Sequence, residues 1–169
     1  HSIRLEDDRN RAEATLRLEQ SRLEALLKLG EMNDVSFKEI SDYALEEAVR
    51  LTESEIGYLA FMNEDETVLT MNSWSKTAME QCAIVDKPMV YRVDETGLWG
   101  EAVRQRRPVV TNDYAATDSY KKGYPAGHVE VVRHMNIPVF EGEQIVAVAG
   151  VGNKQTLYNE TDIRQLTLL

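Results

Sequence analysis

A chain of 169 residues has room for one domain with a genuine core, not two. Its 19 basic residues against 29 acidic ones leave a formal charge of −10. Such a surface repels phosphate backbones and anionic lipid, which argues against nucleic acid or direct membrane contact. The single cysteine, Cys82, has no partner for an internal disulfide or a zinc-binding CxxC pair. No apolar run reaches the roughly 18 residues that span a bilayer, and no signal-peptide pattern opens the chain. The expected setting is reducing cytoplasm.

From Leu5 to Leu29 the sequence is rich in Leu, Glu and Arg and free of Pro and Gly, which predicts a helix. Leu5, Ala12, Leu16, Leu23 and Leu26 fall on a 3-4 heptad seam interrupted by Arg9 and Glu19, suited to pairing with a second helix. The alternative is an amphipathic helix folding back on its own domain. Ser36-Phe37-Lys38-Glu39 has the form of a capping box and opens a helix with Phe37, Ile40, Ala44, Ala48 and Leu51 at core spacing. Glu55–Met62 and Thr67–Trp74 read as strands around a polar turn. Thr77–Cys82 makes one or two helical turns, and Met89–Val93 a short strand. Thr96 is expected to cap a helix from Gly97 to Arg106, ended by Pro108. Val109-Val110-Thr111 is another brief strand.

The segment from Asn112 to Glu130 breaks this rhythm. It holds Tyr114, Tyr120, Tyr124 and His128 among Gly and Pro residues. Loops this long inside small domains commonly serve as lids or binding loops. Tyrosine and histidine each offer a ligand an apolar body and a polar tip. The plainer alternative is a solvated excursion closing over a sheet edge.

Asn136–Phe140 then alternates, Glu141-Gly142-Glu143 turns, and Ile145–Val151 is small and apolar on both parities, as in a central strand covered on both faces. Hairpins with helices before, between and after them predict an α+β fold. After Gly152 come Asn153, Lys154, Tyr158 and Asp162 in the arrangement NK-x3-Y-x3-D. With "GLWGEAVRQRRPVVTNDY" from Gly97 and "NIPVF" from Asn136, this resembles a GAF domain, of the kind found in bacterial and archaeal sensor histidine kinases and related multidomain signalling proteins.

The resemblance implies a profilin- and PAS-related central antiparallel sheet of about six strands, with helices on one face and a ligand pocket on the other. With the heptad seam, the expected organisation is a helical linker over 1–29 suited to a coiled coil, then a sensory domain over 30–169 whose terminal helix is truncated, with a homodimer formed through the terminal helices. With the loop reading, it marks Trp74, Cys82, Trp99, Tyr114, Tyr120, Tyr124, His128 and His134 as candidate ligand contacts. Asn153, Lys154, Tyr158 and Asp162 are similar to the NKFDE motif of cyclic-nucleotide-binding relatives. Here Tyr158 replaces Phe and Ile163 stands where Glu belongs, so the four are read as structural, with Lys154 and Asp162 an ion pair.

Some members of the family hold a tetrapyrrole through cysteine, and others bind haem, so Cys82 as attachment and His128 as axial ligand form an alternative to an ordinary half-buried cysteine. No other metal site is expected. Catalysis is argued against by the absence of G-x-S-x-G, Walker A and G-x-G-x-x-G motifs. One cysteine also cannot run the cysteine-pair cycle of the family's free methionine sulfoxide reductases. Three readings follow: a noncatalytic small-molecule sensor, a haem-based redox or gas sensor, and a dimerisation spacer with no ligand.

Overall fold

Strand β6, Gln144–Gly152, lies inside a six-stranded antiparallel sheet of order β3-β2-β1-β6-β5-β4. The other strands are β1 Ile56–Met62, β2 Val68–Trp74, β3 Val90–Arg92, β4 Val109–Thr111 and β5 His134–Glu141. The helices are α1 Ser2–Glu31, α2 Phe37–Leu51, α3 Lys76–Gln81, α4 Glu101–Gln105 and α5 Glu160–Thr167. The computed structural model describes residues 2–83, 89–116, 121–123 and 127–169.

Both parities of β6 are apolar because both of its faces are covered. Val151 and Ala149 pair with Met135 and Ile137 of β5, and this side packs on Ala48 of α2, Tyr158 and Leu166 of α5. Val148 and Gly150 point to the opposite side, beside Ala60 and Tyr58 of β1. The expected architecture, an α+β sheet layered with helices, is therefore observed.

The capping box of α2 forms as read. Ser36 Oγ accepts from the Glu39 amide at 3.2 Å, and the Glu39 carboxylate accepts from the Ser36 amide at 2.8 Å. The buried face differs from expectation at its start: it is Ser41, Leu45, Ala48 and Leu51. Phe37, one residue past the cap, stays exposed, with its ring 5.3 Å from that of Phe61. The Thr96 expectation is also corrected. Residues 98–100 form a 3-10 turn and α4 starts only at Glu101, with no side-chain cap. Thr96 Oγ1 instead donates to the Val93 carbonyl at 2.7 Å and accepts from Arg104 at 2.9 Å. The guanidinium of Arg104 also donates to the Gly97 carbonyl and pairs with buried Glu101, stitching the segment into one wall.

The first helix folds back on its own domain over its second half, as one of its two readings expected. There it meets α2 and α5, burying Arg22 and Ala25 and half-burying Leu26. Leu16, Leu23 and Leu27 are exposed to solvent, whereas Leu26, expected on the same stripe, is half-buried.

Candidate functional site

The sheet face away from α2 and α5 is built in two unlike halves. Over β1, β2 and β3 it is filled by side chains: Ala60, Leu69, Met71, Val93, Val103, Ile145 and Val148 form a buried cluster. Trp74 and Trp99 pack against it, and Trp99 meets Tyr58 and Tyr91 edge-on at centroid distances of 5.8 and 5.0 Å. Both tryptophans thus sit in an aromatic wall. Burial pushes the Tyr91 phenol up, with nearby Cys82 a smaller contributor.

At the start of β5 and the end of β6 the same face is polar and lightly furnished. His134 and Asn136 of β5 stand opposite Gly152 and Gly150 of β6. Asn136 Oδ1 accepts from the Tyr58 hydroxyl at 2.7 Å, and Asn136 Nδ2 lies 2.6 Å from His134 Nδ1. A Cβ at Gly150 would stand 2.0 Å from the Tyr58 ring and 2.6 Å from Asn136 Oδ1, so only glycine leaves room for this row. Burial raises the Tyr58 phenol far above its ordinary range, which keeps it a neutral donor, and lowers the His134 imidazole to about 4, which keeps it neutral. With Asn136 donating into Nδ1, the ring proton sits on Nε2. That nitrogen is buried and has no hydrogen-bond partner among the described residues.

The segment after β4 crosses beside this half. Tyr114 donates its amide to the Val132 carbonyl at 2.9 Å and lays its ring edge-on to His134 at 5.5 Å. Lys121 Nζ donates to the Tyr114 carbonyl at 2.6 Å and lies 4.7 Å from the centre of its ring. A groove of about 680 Å³ opens between residues 112–115 and 130–133, with Lys121 and Gly123 on its rim. Tyr114 therefore borders the groove on one side and His134 on the other. Tyr120 and Tyr124 lie outside the described residues.

Cys82 ends α3, half-buried, and the amide of the next residue, Ala83, donates to the Gly127 carbonyl at 2.8 Å. Cys82 and His128 thus flank one hydrogen bond between two distant stretches of chain. His128 Nδ1 lies 2.6 Å from the Val129 carbonyl, a contact that puts the lone pair on Nε2. A thiol and an imidazole in this relation are donors of the type that hold haem. Among the described residues, no group of three or more His, Cys, Asp or Glu side chains could hold a metal ion, and no helix is long and apolar enough to cross a membrane.

The segment's roots are pinned to the end of β6 and the approach to α5. Asn153, left-handed at φ 61°, accepts from the Val132 amide at 2.9 Å and donates to the Glu130 carbonyl at 2.7 Å. Asn112 exchanges two hydrogen bonds with the Tyr158 backbone, at 2.8 and 3.1 Å. The Tyr158 hydroxyl meets Ser54 Oγ at 2.7 Å. Lys154 Nζ donates to Asp162 Oδ1 at 2.6 Å, and both side chains are largely buried. Asp162 Oδ2 caps α5 by accepting from the Asn159 amide. Sequence reading missed Tyr58, Asn136 and Gly150. The available signal was two polar residues at i and i+2 on one face of an otherwise apolar strand.

The model of the GAF domain family matches residues 34–169. The chain is a GAF domain. The methyl sulfide methyltransferase-associated sensor of Methanosarcina acetivorans is 62% identical over 162 residues, which cover 96% of this chain. They span only 16% of that protein. Among solved structures, the GAF domain of a phosphoenolpyruvate-protein phosphotransferase from Coxiella burnetii superposes with a TM-score of 0.74 at 9% identity. That match covers 90% of this chain and 88% of the other. Free methionine-R-sulfoxide reductase from Neisseria meningitidis gives 0.62 at 12% identity, over 89% and 79% of the two chains. At such identities these two likenesses concern the fold alone.

Proposed function

We propose that this GAF domain is a noncatalytic sensory module whose ligand occupies the groove beside Tyr114, and that occupancy is passed to α5 and α1. The observation that carries this is the reciprocal Asn112–Tyr158 pair. It couples the entrance of the loop to the turn leading into α5, and α5 in turn meets α1 through Gln165 and Arg22. A ligand signals only if it favours one arrangement of these parts over another. The sensor named among the relatives supports such a role, and a kinase or other two-component output belongs to the same proposal. The lone Cys82 argues against the reductase chemistry named among the structural neighbours.

A thermal-shift screen with small metabolites tests the reading. At one hundred times its Kd a true ligand adds about 2.7 kcal/mol, a readily measured shift. No stabilising compound, together with a tight helix-mediated dimer, would leave the spacer role in its place. The homodimer is proposed through the exposed Leu16, Leu23 and Leu27 stripe of α1. Leu16→Glu with Leu23→Glu is expected to weaken association in sedimentation without unfolding the sheet.

A second reading is favoured by the Ala83–Gly127 hydrogen bond, which draws Cys82 and His128 together. Here Cys82 would attach a haem and His128 would serve as its axial ligand. The haem would supply a redox-active, gas-binding iron. A Soret band in protein made with ample haem, lost in Cys82→Ala and His128→Ala, is the expected sign. Its absence removes this reading and leaves the first.

A further inference from the structure

We infer that His134 is the ligand-orienting donor of this domain, and that the ligand presents a carbonyl or carboxylate oxygen to its Nε2–H. The inference rests on the sensory reading above and adds the chemistry of what is sensed. A buried N–H without an acceptor costs free energy comparable to a lost hydrogen bond, so nearly all such groups in folded proteins are satisfied. His134 is 8% exposed, and its Nε2 has no hydrogen-bond partner among the described residues. The ring's other nitrogen is engaged by Asn136, which Tyr58 holds in turn. These two contacts fix which nitrogen carries the proton and which way the ring faces.

A ring held this way is a pre-set donor, because no rotation or proton shift is needed when an acceptor arrives. Burial keeps it neutral at physiological pH, so it selects an acceptor without demanding a full negative charge. The neighbouring surfaces fit the rest of such a ligand. The Tyr114 ring lies edge-on to His134 and also lines the groove, so a ligand seated in the groove reaches Nε2 when that ring turns aside. Lys121, beside the Tyr114 ring and on the groove rim, adds a cation that suits a carboxylate. Asp113 and Glu130 line the same groove and disfavour multiply charged anions. The chemical class is therefore a small, neutral or singly charged molecule with an apolar body and one acceptor oxygen. A cationic amine cannot meet an N–H donor and is excluded.

The test is a side-chain nitrogen NMR titration of the 169-residue chain with sodium benzoate, benzamide and benzylammonium chloride. Before addition, His134 should show a neutral ring protonated on Nε2. Benzoate or benzamide should then move the Nε2–H signals saturably, benzoate alone marking a carboxylate site and both a carbonyl site. Benzylammonium should leave them in place. His134→Phe, which keeps a ring against Tyr114, should weaken binding about tenfold or more, the equivalent of one lost hydrogen bond. His134→Gln, which restores a donor, should recover much of it. The assignment is overturned if neither oxygen-bearing probe moves His134, if benzylammonium does so equally, or if His134→Phe binds as well as the parent. If screened metabolites stabilise the domain while the His134 signals stay fixed, the assignment falls and the sensory reading survives. If nothing binds at all, both fall.

Discussion

Arg22 of the first helix donates to Gln165 of the last at 3.2 Å, across 143 residues of chain, and both side chains are buried. Glu19 completes the contact by accepting from Arg22, from Gln165 at 3.1 Å and from Arg164 at 3.2 Å. The two helices flanking the sheet are thus joined by side chains with directional requirements. A shift of α5 cannot leave α1 where it was without breaking charged hydrogen bonds.

Replacing Gln165 with leucine removes the acceptor and donor that join α5 to Arg22 and Glu19, while keeping much of the volume. The expected loss is about 1–3 kcal/mol, since a buried charged group gives up a partner. Urea denaturation reads the loss, and hydrogen exchange should show α1 amides exchanging faster than those of β6.

Gly150→Ala tests the polar row on the opposite face. The new methyl would meet the Tyr58 ring, which must turn away and release Asn136. Overpacking of this kind costs about 1–3 kcal/mol. Near-ultraviolet circular dichroism should change as Tyr58 and neighbouring Trp99 shift. An unchanged spectrum and midpoint would mean that the strand yields instead.

Asp162→Ala leaves Lys154 as a buried, uncompensated charge and removes a cap from α5. A loss of about 3–5 kcal/mol is expected in chemical denaturation. Lys154→Met combined with Asp162→Leu removes both charges. That variant should retain most of the stability, short of about 1 kcal/mol for the missing cap.

The His134 ring sets a pH dependence. Its pKa falls from 6.5 to about 4 on folding, so the unfolded chain takes up this proton first as pH drops. The stability gained from keeping the ring neutral is complete above pH 6.5 and is lost as pH falls through 4. Its full size is about 3 kcal/mol. Carboxylates held below their usual range, such as those of Glu39, Asp42 and Glu66, lose their contributions at lower pH still. Urea midpoints compared between pH 7 and pH 4.5 should therefore fall more steeply in the parent than in His134→Gln.

Much of the fold was legible because its signals are local. The capping box at Ser36, the two-parity apolar run of β6 and the turn at Gly142 each depend on neighbours within a few residues. The Phe37 and Thr96 expectations failed because spacing cannot tell which rim of an apolar stripe meets the sheet, or whether a distant guanidinium will claim a hydroxyl. The candidate site was half legible. Tyr114 and His128 stood out by type and by the length of their loop, and His134 by type alone. The row that gives His134 its orientation joins Tyr58 to Asn136 across 78 residues, a relation that no periodicity encodes.

Gly150 also limits how this domain can change. The seat of the Tyr58 ring above the sheet is metered by a single missing methyl, since the tyrosine lies across the bare backbone where a side chain would otherwise stand. Any larger residue there lifts the floor by a carbon's width and tips the imidazole out of its bearing. A change at this one position is therefore expected to travel from Tyr58 through Asn136 to His134.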